Sequence, residues 1–397
     1  MRKKFFIITI LSLTIFCFVL NIGQTSCAGS SLIQLKESLS NEVNEILENI
    51  NFSDLQGIID NFSQTQQKMF SFTTIKDKVL QVLSGESKID YKSFLEAIIS
   101  IIFSSVARFL PMIAIIISVG IISTILGSIK SKFNEKSVGD VIHFVCFCVV
   151  VIVVVTIIKG LVDNTTQSIN NMTNQMNVIF PILLTIMTAV GSAASVGVFQ
   201  PTLAIFTSFS SLIFSNVIIP IFMMSFCFAI VGNLSNNVKL DKFNSFLSSL
   251  FKWLVGIFFT IFFSLISIQG ISAGSFDSVS IRTMKFTMSS YIPVLGGYLS
   301  QGMDLIMASS VLVKNAVGFV GILILMSSIF APILEIVVVS LLLKVASAIL
   351  QPLNNDRITN FLHSTSKAII MLSTCLIVVA FMYFLLIGLC MATANVV

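Results

Sequence analysis

Long apolar runs alternate with short polar segments along most of this chain. A helix needs about 20 residues to cross the hydrocarbon core of a bilayer, so runs of this length predict membrane-spanning helices. The runs cover residues 94–129, 141–160, 178–198, 201–231, 251–271, 292–312, 316–350 and 367–393. The three longest each have a proline near the middle, at Pro111, Pro220 and Pro332.

Residues 29–92 alone have the pattern of a water-soluble segment. Apolar residues recur there at helical spacing between charged and amide side chains, which predicts two or three amphipathic helices. The positions that carry the pattern are Leu32, Leu35, Leu39, Val43, Ile46, Ile50, Met69, Phe72, Ile75, Val79 and Val82. Such stripes are typical either of an ordinary packing face or of a docking face for an extracytoplasmic partner.

The first 28 residues have the pattern of a secretory signal peptide. Three basic residues at 2–4 precede an apolar stretch at 5–20, and small side chains before the Ala28–Gly29 bond suit a cleavage site. An uncleaved first anchor is the alternative. The predicted organisation is therefore a signal peptide at 1–28, an extracytoplasmic helical segment at 29–92 and a transmembrane domain at 93–397.

Composition agrees with an integral membrane protein, whose principal partner is the lipid bilayer. Hydrophobic residues make up 55% of the chain and charged residues only 10%, whereas about 25% of a soluble domain is charged. The net charge of +5 is spread over short loops without a basic cluster, which argues against nucleic-acid binding.

Parts of the apolar region resemble one another. After Pro111 and again after Pro220 the order is helix, polar loop, second helix, polar stretch and a further proline, and it begins once more at Pro332. The two complete units share a Lys-Phe-Asn triplet, at 132–134 and 242–244. This order predicts an internal repeat of about 110 residues, the kind of symmetry found in transporters.

The positive-inside rule gives the orientation. Three loops carry more basic than acidic residues, counting the lysines at their edges, and are predicted to be cytoplasmic: 130–140, 232–250 and 351–366. The stretch 161–177 contains neither Lys nor Arg and is predicted to lie outside.

Two apolar runs separate 161–177 from the cytoplasmic loop that follows, although the orientation allows only one crossing. The run 178–198, which contains Pro181, is therefore predicted to be re-entrant, and so is 292–312, with Pro293, Gly296 and Gly297. The expected fold is all-α, with about six transmembrane helices, two re-entrant segments and a mature N-terminus outside the cytoplasm.

Four charged residues lie nearest to lipid: Arg108, Lys314, Glu335 and Lys344. A charge in mid-membrane costs about 3 kcal/mol on insertion scales, so it normally faces protein or water. Arg108 precedes Pro111 by three residues and Glu335 follows Pro332 by three, and a proline bends a helix and frees a carbonyl. We therefore expect a polar seam along the broken helices. The alternative is that Arg108 and Lys344 extend to an interface while Glu335 merely pairs with a neighbour.

Enzyme motifs are missing from the sequence. It contains no HExxH, GxSxG, Walker loop or GxGxxG pattern, and its two histidines, His143 and His363, stand without a neighbouring metal-ligand partner. The sequence therefore predicts no catalytic residues, no metal site and no cofactor.

Residues 238–353 resemble the stage III sporulation protein AE family of endospore-forming bacteria. The resemblance rests on long, ordered stretches: VKLDKFNSFLSSLFKWLVGIFFTIFFSLISIQG, then RTMKF at 282–286, IPVLGGYLSQGMD, LVKNAVGFVGILIL and LQPL at 350–353. A signal peptide followed by a helical outer segment is similar in plan as well.

This resemblance implies a non-enzymatic membrane subunit of a secretion-like channel complex in the mother-cell membrane around the forespore, needed for late forespore gene expression. The implied partners are further membrane subunits, ring-forming proteins, a cytoplasmic secretion-type ATPase and a forespore-side partner across the intermembrane space. The alternative from the residues alone is a self-sufficient secondary transporter, because repeats, re-entrant segments and intramembrane charges also suit that class.

Overall fold

The computed structural model describes residues 32–71, 74–85, 90–130, 136–234, 241–291, 296–353 and 355–393. These residues are almost entirely helical, and no strand occurs among them. The all-α prediction is confirmed. The signal peptide, Ala28, Gly29 and Pro293 lie outside the described residues.

Four short helices form the N-terminal segment. They are α1 (Leu32–Asn49), α2 (Ser53–Asp60), α3 (Gln64–Met69) and α4 (Ile75–Leu83). Helix α3 begins with a complete capping box, in which the Ser63 hydroxyl accepts from the Gln66 backbone N–H and the Gln66 side chain accepts from the Ser63 N–H.

Much longer helices follow. They are α5 (Tyr91–Lys130), α6 (Lys136–Ala189), α7 (Ala193–Ile213), a π-helical turn at Phe214–Ile218, α8 (Ile219–Leu234), α9 (Asp241–Tyr291), α10 (Gly296–Leu350), a 3-10 turn at Gln351–Leu353 and α11 (Asp356–Ala392). Six helical stretches in the described part of the chain are long and apolar enough to cross a membrane, which confirms a polytopic membrane protein.

These helices form three hairpins, α5 with α6, α7 and α8 with α9, and α10 with α11. The helix ends that are joined within each hairpin lie at one end of the molecule, called here the loop end. A serine of the first helix in each hairpin bonds to the second helix near this end. Ser123 Oγ lies 2.8 Å from His143 Nδ1, Ser225 Oγ donates to Asn244 Oδ1 over 2.6 Å, and Ser347 Oγ donates to the Thr359 carbonyl over 3.0 Å. Three similar hairpins agree with the proposed repeat, although the repeat itself stays a prediction.

The opposite end of the bundle, called here the distal end, contains the turn between α6 and α7. Gly191 adopts a φ of 88° there, in the left-handed region that glycine enters at little cost. Residues 178–198 are this turn with the helix ends beside it. Because 178–189 continue α6 without a break, the structure does not confirm a separate re-entrant segment.

Helix α11 lies at the centre of the bundle and pairs with α10 in antiparallel register. Ser340 Oγ donates to the Ser366 carbonyl over 2.8 Å, one heptad from the Ser347–Thr359 bond. In both pairs the two residue numbers have the same sum, as expected for antiparallel helices that keep one register, so both bonds belong to a single α10–α11 contact. Small side chains at such seams let helices approach closely, and only five of the 37 residues of α11 are exposed.

The N-terminal segment packs on α10 rather than standing free. Its buried apolar residues include Val43, Leu47, Leu55, Ile59, Ile75 and Val79. Gln66 and Ser327 bond reciprocally: Gln66 Nε2 donates to the Ser327 carbonyl over 3.2 Å, and Ser327 Oγ donates to the Gln66 carbonyl over 3.1 Å. These buried stripes therefore serve as a packing face within the chain.

Substitution of Gly120 tests the close approach of α5 to α10. A Cβ at this position would lie 2.5 Å from a methyl carbon of Leu350, which is fully buried. We expect Gly120→Ala to lower the free energy of unfolding by about 1–3 kcal/mol through overpacking, measured by thermal unfolding of the purified protein. At Gly160 a Cβ would meet nothing within 4 Å, so Gly160→Ala should be neutral or raise stability by up to about 1 kcal/mol. Equal changes in the free energy of unfolding for the two variants would contradict the close approach of α5 to α10 at Gly120.

Candidate functional site: an ionic cluster between three long helices

Glu335 connects three of the long helices. Its Oε1 accepts from Arg108 Nη1 of α5 over 3.0 Å, and its Oε2 accepts from Asn164 Nδ2 of α6 over 2.6 Å. Both carboxylate oxygens therefore have a donor, and one of these donors is a cation. The contact with Arg108 is an ion pair between two of the long helices.

The two charged partners differ in exposure. The Glu335 side chain is 12% exposed and the Arg108 side chain 68%. Solvent therefore screens the pair from the Arg108 side, and a largely exposed pair contributes at most about 1 kcal/mol. The carboxylate is the sensitive member, because removing the donor of a nearly buried charge costs far more than the pair itself contributes.

Exposed residues along one face of α6 show where the cluster lies relative to lipid. Near the loop end these residues are apolar, and towards the distal end they are polar or charged. The apolar positions are Val141, Val145, Val149 and Ile152, and the polar positions are Lys159, Asp163, Gln167, Asn170, Asn174 and Asn177. Neighbouring positions within each set lie three or four residues apart and the two sets are separated by seven residues, so all of them occupy a single face.

On this face of α6 the exposed apolar residues therefore end before Asp163, next to Asn164 and the ionic cluster. On α5 exposed apolar residues continue beyond Arg108, at Leu95, Ile99 and Phe103. Arg108, Asn164 and Glu335 are roughly 33, 42 and 22 Å along their helices from the loop end at 1.5 Å per residue. These lengths bracket the 30 Å thickness of a hydrocarbon core. The cluster thus lies roughly one hydrocarbon-core thickness from the loop end.

The other two charged candidates lie elsewhere. Lys314 is fully buried near the distal end of α10 and donates to the Thr393 carbonyl of α11. It precedes Glu335 by 21 residues, about 31 Å along the helix. Lys344 is exposed near the loop end, where its chain can reach the interface. The structure therefore brings together two of the four residues, and a functional role for any of them stays a prediction.

The predicted helix breaks need correction. Pro111, Pro181 and Pro332 lie inside helices that continue past them. A proline removes one backbone bond without ending a helix when neighbouring groups supply other partners. Pro220 follows the π-helical turn, which accommodates its ring, and Gly296 and Gly297 begin α10.

Sequence reasoning missed Asn164, which belongs to a stretch interpreted as an external loop. Several residues in and beside that stretch are fully buried and spaced as a helical face: Leu161, Ile169, Met172, Met176 and Ile179. This apolar stripe was the available signal for a continuous helix. Within the described residues, no group of three or more His, Cys, Asp or Glu side chains is placed to hold a metal ion.

Comparison with known proteins identifies the family. The sequence matches the family model described as Stage III sporulation protein AE over residues 73–394. The chain belongs to this family. It is also 27% identical over 320 residues to Stage III sporulation protein AE of Bacillus subtilis (strain 168), covering 81% of this chain and 80% of that protein. No solved structure matches the chain.

The coupling between Arg108 and Glu335 can be measured by a double-mutant cycle. We expect Arg108→Ala to lower the free energy of unfolding by about 2 kcal/mol, because it strips a nearly buried carboxylate of its cation. Adding Glu335→Gln should restore part of this loss, giving a coupling energy of about 1 kcal/mol.

Lys159→Ala is the matched control, since Lys159 is an exposed cation on α6 near the same height. It should change stability by less than about 0.5 kcal/mol and should not couple to Glu335→Gln. Strictly additive effects of Arg108→Ala and Glu335→Gln would show that the contact contributes nothing.

Proposed function

We propose that this protein is a non-enzymatic, multi-pass subunit of the channel or secretion-like complex between mother cell and forespore. The observation that carries the proposal is the family match over residues 73–394. Membership in a stage III sporulation family assigns the protein to sporulation. Its six long apolar helices suit a subunit that spans the mother-cell membrane around the forespore.

The two ends of the bundle suit different partners. On the predicted orientation, a cleaved signal peptide places the N-terminal segment and the distal end in the intermembrane space, where ring-forming subunits and a forespore-side partner would meet them. The loop end then faces the mother-cell cytoplasm. The basic residues of loops 130–140 and 232–250 are available there to a secretion-type ATPase.

The position of the ionic cluster favours this role over a self-sufficient transporter. Secondary transporters bind substrate and coupling ions near the bilayer midplane, at helices that are unwound there. Here Pro111 and Pro332 lie in continuous helices, and Arg108 and Glu335 bond to each other across α5 and α10. A structural contact that fixes α5 against α10 accounts for this pair.

Copurification and uptake separate the two functions. The full chain, tagged and isolated from sporulating cells in mild detergent, should bring with it ring-forming subunits and an ATPase. In liposomes without partners it should take up no amino acid, sugar or inorganic ion above an empty-vesicle control. Uptake by the isolated chain, without copurifying subunits, would contradict the proposal.

Charge reversal at the loop end gives a sharper test of the ATPase contact. Replacing Lys130, Lys132 and Lys136 together by Glu should remove the ATPase from the isolated complex while ring-forming subunits remain, with a matching loss of late forespore gene expression. Lys159→Glu, near the opposite membrane surface, should retain the ATPase. Retention of the ATPase by the triple variant would exclude this loop as its binding site.

A further inference from the structure

An apolar cleft lies between α7 and α9. Its volume is about 590 Å³, and along α9 it reaches from Leu254 to Gln269. The floor contains Phe206, Ile218 and Phe258, all buried. All but two of the lining side chains are aliphatic or aromatic, so the cleft offers a ligand mainly apolar contact.

Packed aromatic rings form the base of this cleft. The ring of Phe206 on α7 meets that of Phe262 on α9 edge to face, with 5.1 Å between the ring centroids. Phe214, in the π-helical turn, meets Phe258 in the same way over 5.6 Å. Edge-to-face contacts are a favoured arrangement of aromatic pairs. They hold α7 and the π-helical turn against α9 beneath the cleft.

The rim of the cleft faces hydrocarbon. Both of its walls belong to stretches that are long and apolar enough to cross a membrane, Ala193–Asn233 and Lys242–Gln269. The exposed rim residues are all apolar: Ile205, Phe209, Val217, Ile257, Ile261 and Leu265. Lipid tails are as apolar as these side chains, so a ligand enters the cleft from the lipid and not from water.

The dimensions of the cleft decide between the two apolar occupants that a membrane offers, a partner helix and a lipid chain. Leu254 and Gln269 are 15 residues apart, which is about 22 Å along α9. A volume of 590 Å³ spread over this length gives a cleft about 6 Å wide. An α-helix with its side chains is about 10–12 Å across and does not fit. A polymethylene chain has no side groups and is narrow enough.

The two polar lining residues stand together at the end of the cleft nearer the distal end. Gln269 Nε2 donates to Thr202 Oγ1, and the Gln269 amide has a second N–H with which to bind a ligand. No cation is among the described residues that line the cleft, so a fatty-acid carboxylate would lose hydration without gaining an opposite charge. The ester carbonyl of a phospholipid accepts an N–H and brings no charge. Gln269 also lies near the end of the apolar run 251–271, the depth at which the esters of a bilayer are expected.

We propose that this cleft binds one acyl chain of a membrane phospholipid, with the ester of that chain at Gln269. The acyl chain runs along α9 towards Leu254, and the headgroup lies on the distal side. Such a lipid fills the gap between α7 and α9 and, unlike the surrounding bilayer lipid, occupies a single saturable site. The site stands whether or not the protein acts in the proposed channel complex, because it rests on the cleft alone.

Fluorescence quenching by a phosphatidylcholine with one brominated acyl chain tests the site. Trp253 is the only tryptophan of the chain, so Trp253→Phe combined with Phe209→Trp gives a reporter at the rim of the cleft. Trp253→Phe combined with Phe103→Trp gives the matched reporter on the exposed apolar surface of α5. When the full chain in detergent micelles is titrated with this lipid, quenching of the cleft reporter should saturate at one lipid per chain. Quenching of the α5 reporter should instead follow the lipid content of the micelle. The same dependence for both reporters would overturn the proposal.

Variants of the cleft reporter locate the lipid. Ile261→Phe together with Leu265→Phe should narrow the cleft and abolish saturable quenching. Gln269→Leu should weaken the phospholipid about fivefold by removing one hydrogen bond, whereas Thr202→Val, which keeps the amide, should change its affinity by less than about twofold. Circular dichroism and thermal unfolding confirm that each variant is folded. Undiminished saturable quenching in the folded, narrowed variant, or equal affinities of Gln269→Leu and Thr202→Val, would contradict the proposed position.

Competition identifies the occupant. The unbrominated phospholipid should relieve the saturable quenching, and a free fatty acid with the same chain should need at least about a fivefold higher concentration, because its carboxylate finds no cation. A synthetic transmembrane helix of alanine and leucine should not relieve it, because it is wider than the cleft. Displacement by the helix, or by the fatty acid at an equal or lower concentration, would overturn the assignment to a phospholipid.

Discussion

Helix length is the constraint on which the rest of this structure depends. Helices α6, α9 and α10 contain 54, 51 and 55 residues, which at 1.5 Å per residue makes them about 80 Å long, whereas the hydrocarbon core is only about 30 Å thick. More than half of the length of each helix must therefore lie outside the hydrocarbon core. On one face of α6 the exposed residues change from apolar to polar before Asp163, close to the contact between Asn164 and Glu335.

In the outer half of the bundle, between the ionic cluster and the distal end, many side chains are buried by packing against other helices. Helix α11 is buried there among its neighbours, and its Tyr383 hydroxyl, fully buried, lies 2.9 Å from Thr173 Oγ1 of α6. The N-terminal segment covers α10 at the height of Ser327, just distal to the ionic cluster. A buried apolar core and a polar face on α6 characterise this half, while α5 and α7 still expose apolar residues there, including Phe103, Ile205 and Phe209.

The sequence alone predicts much of the fold but little of the difference between the two halves of the long helices. Apolar runs give the helical class and the hairpins, and the amphipathic spacing in residues 29–92 gives the N-terminal helices. Equivalent prolines direct attention to Arg108 and Glu335, which do meet. Hydropathy fails between residues 161 and 177, because asparagine and threonine have weak helix propensity and their packing partners lie far away in the chain. Helix continuity there depends on tertiary contacts of Ile169, Met172 and Met176, which no local pattern specifies fully.

Collision accessibility of spin labels on α6 tests the division of the helices most directly. Labels at Val149, Gln167 and Thr185 of the full chain in lipid vesicles occupy one exposed face of the helix. The account predicts that Val149 is relaxed mainly by oxygen, which concentrates in lipid, whereas Gln167 and Thr185 are relaxed mainly by a water-soluble nickel chelate. Oxygen-dominated relaxation at Thr185 would return residues 178–198 to the bilayer as a re-entrant segment and would contradict the account.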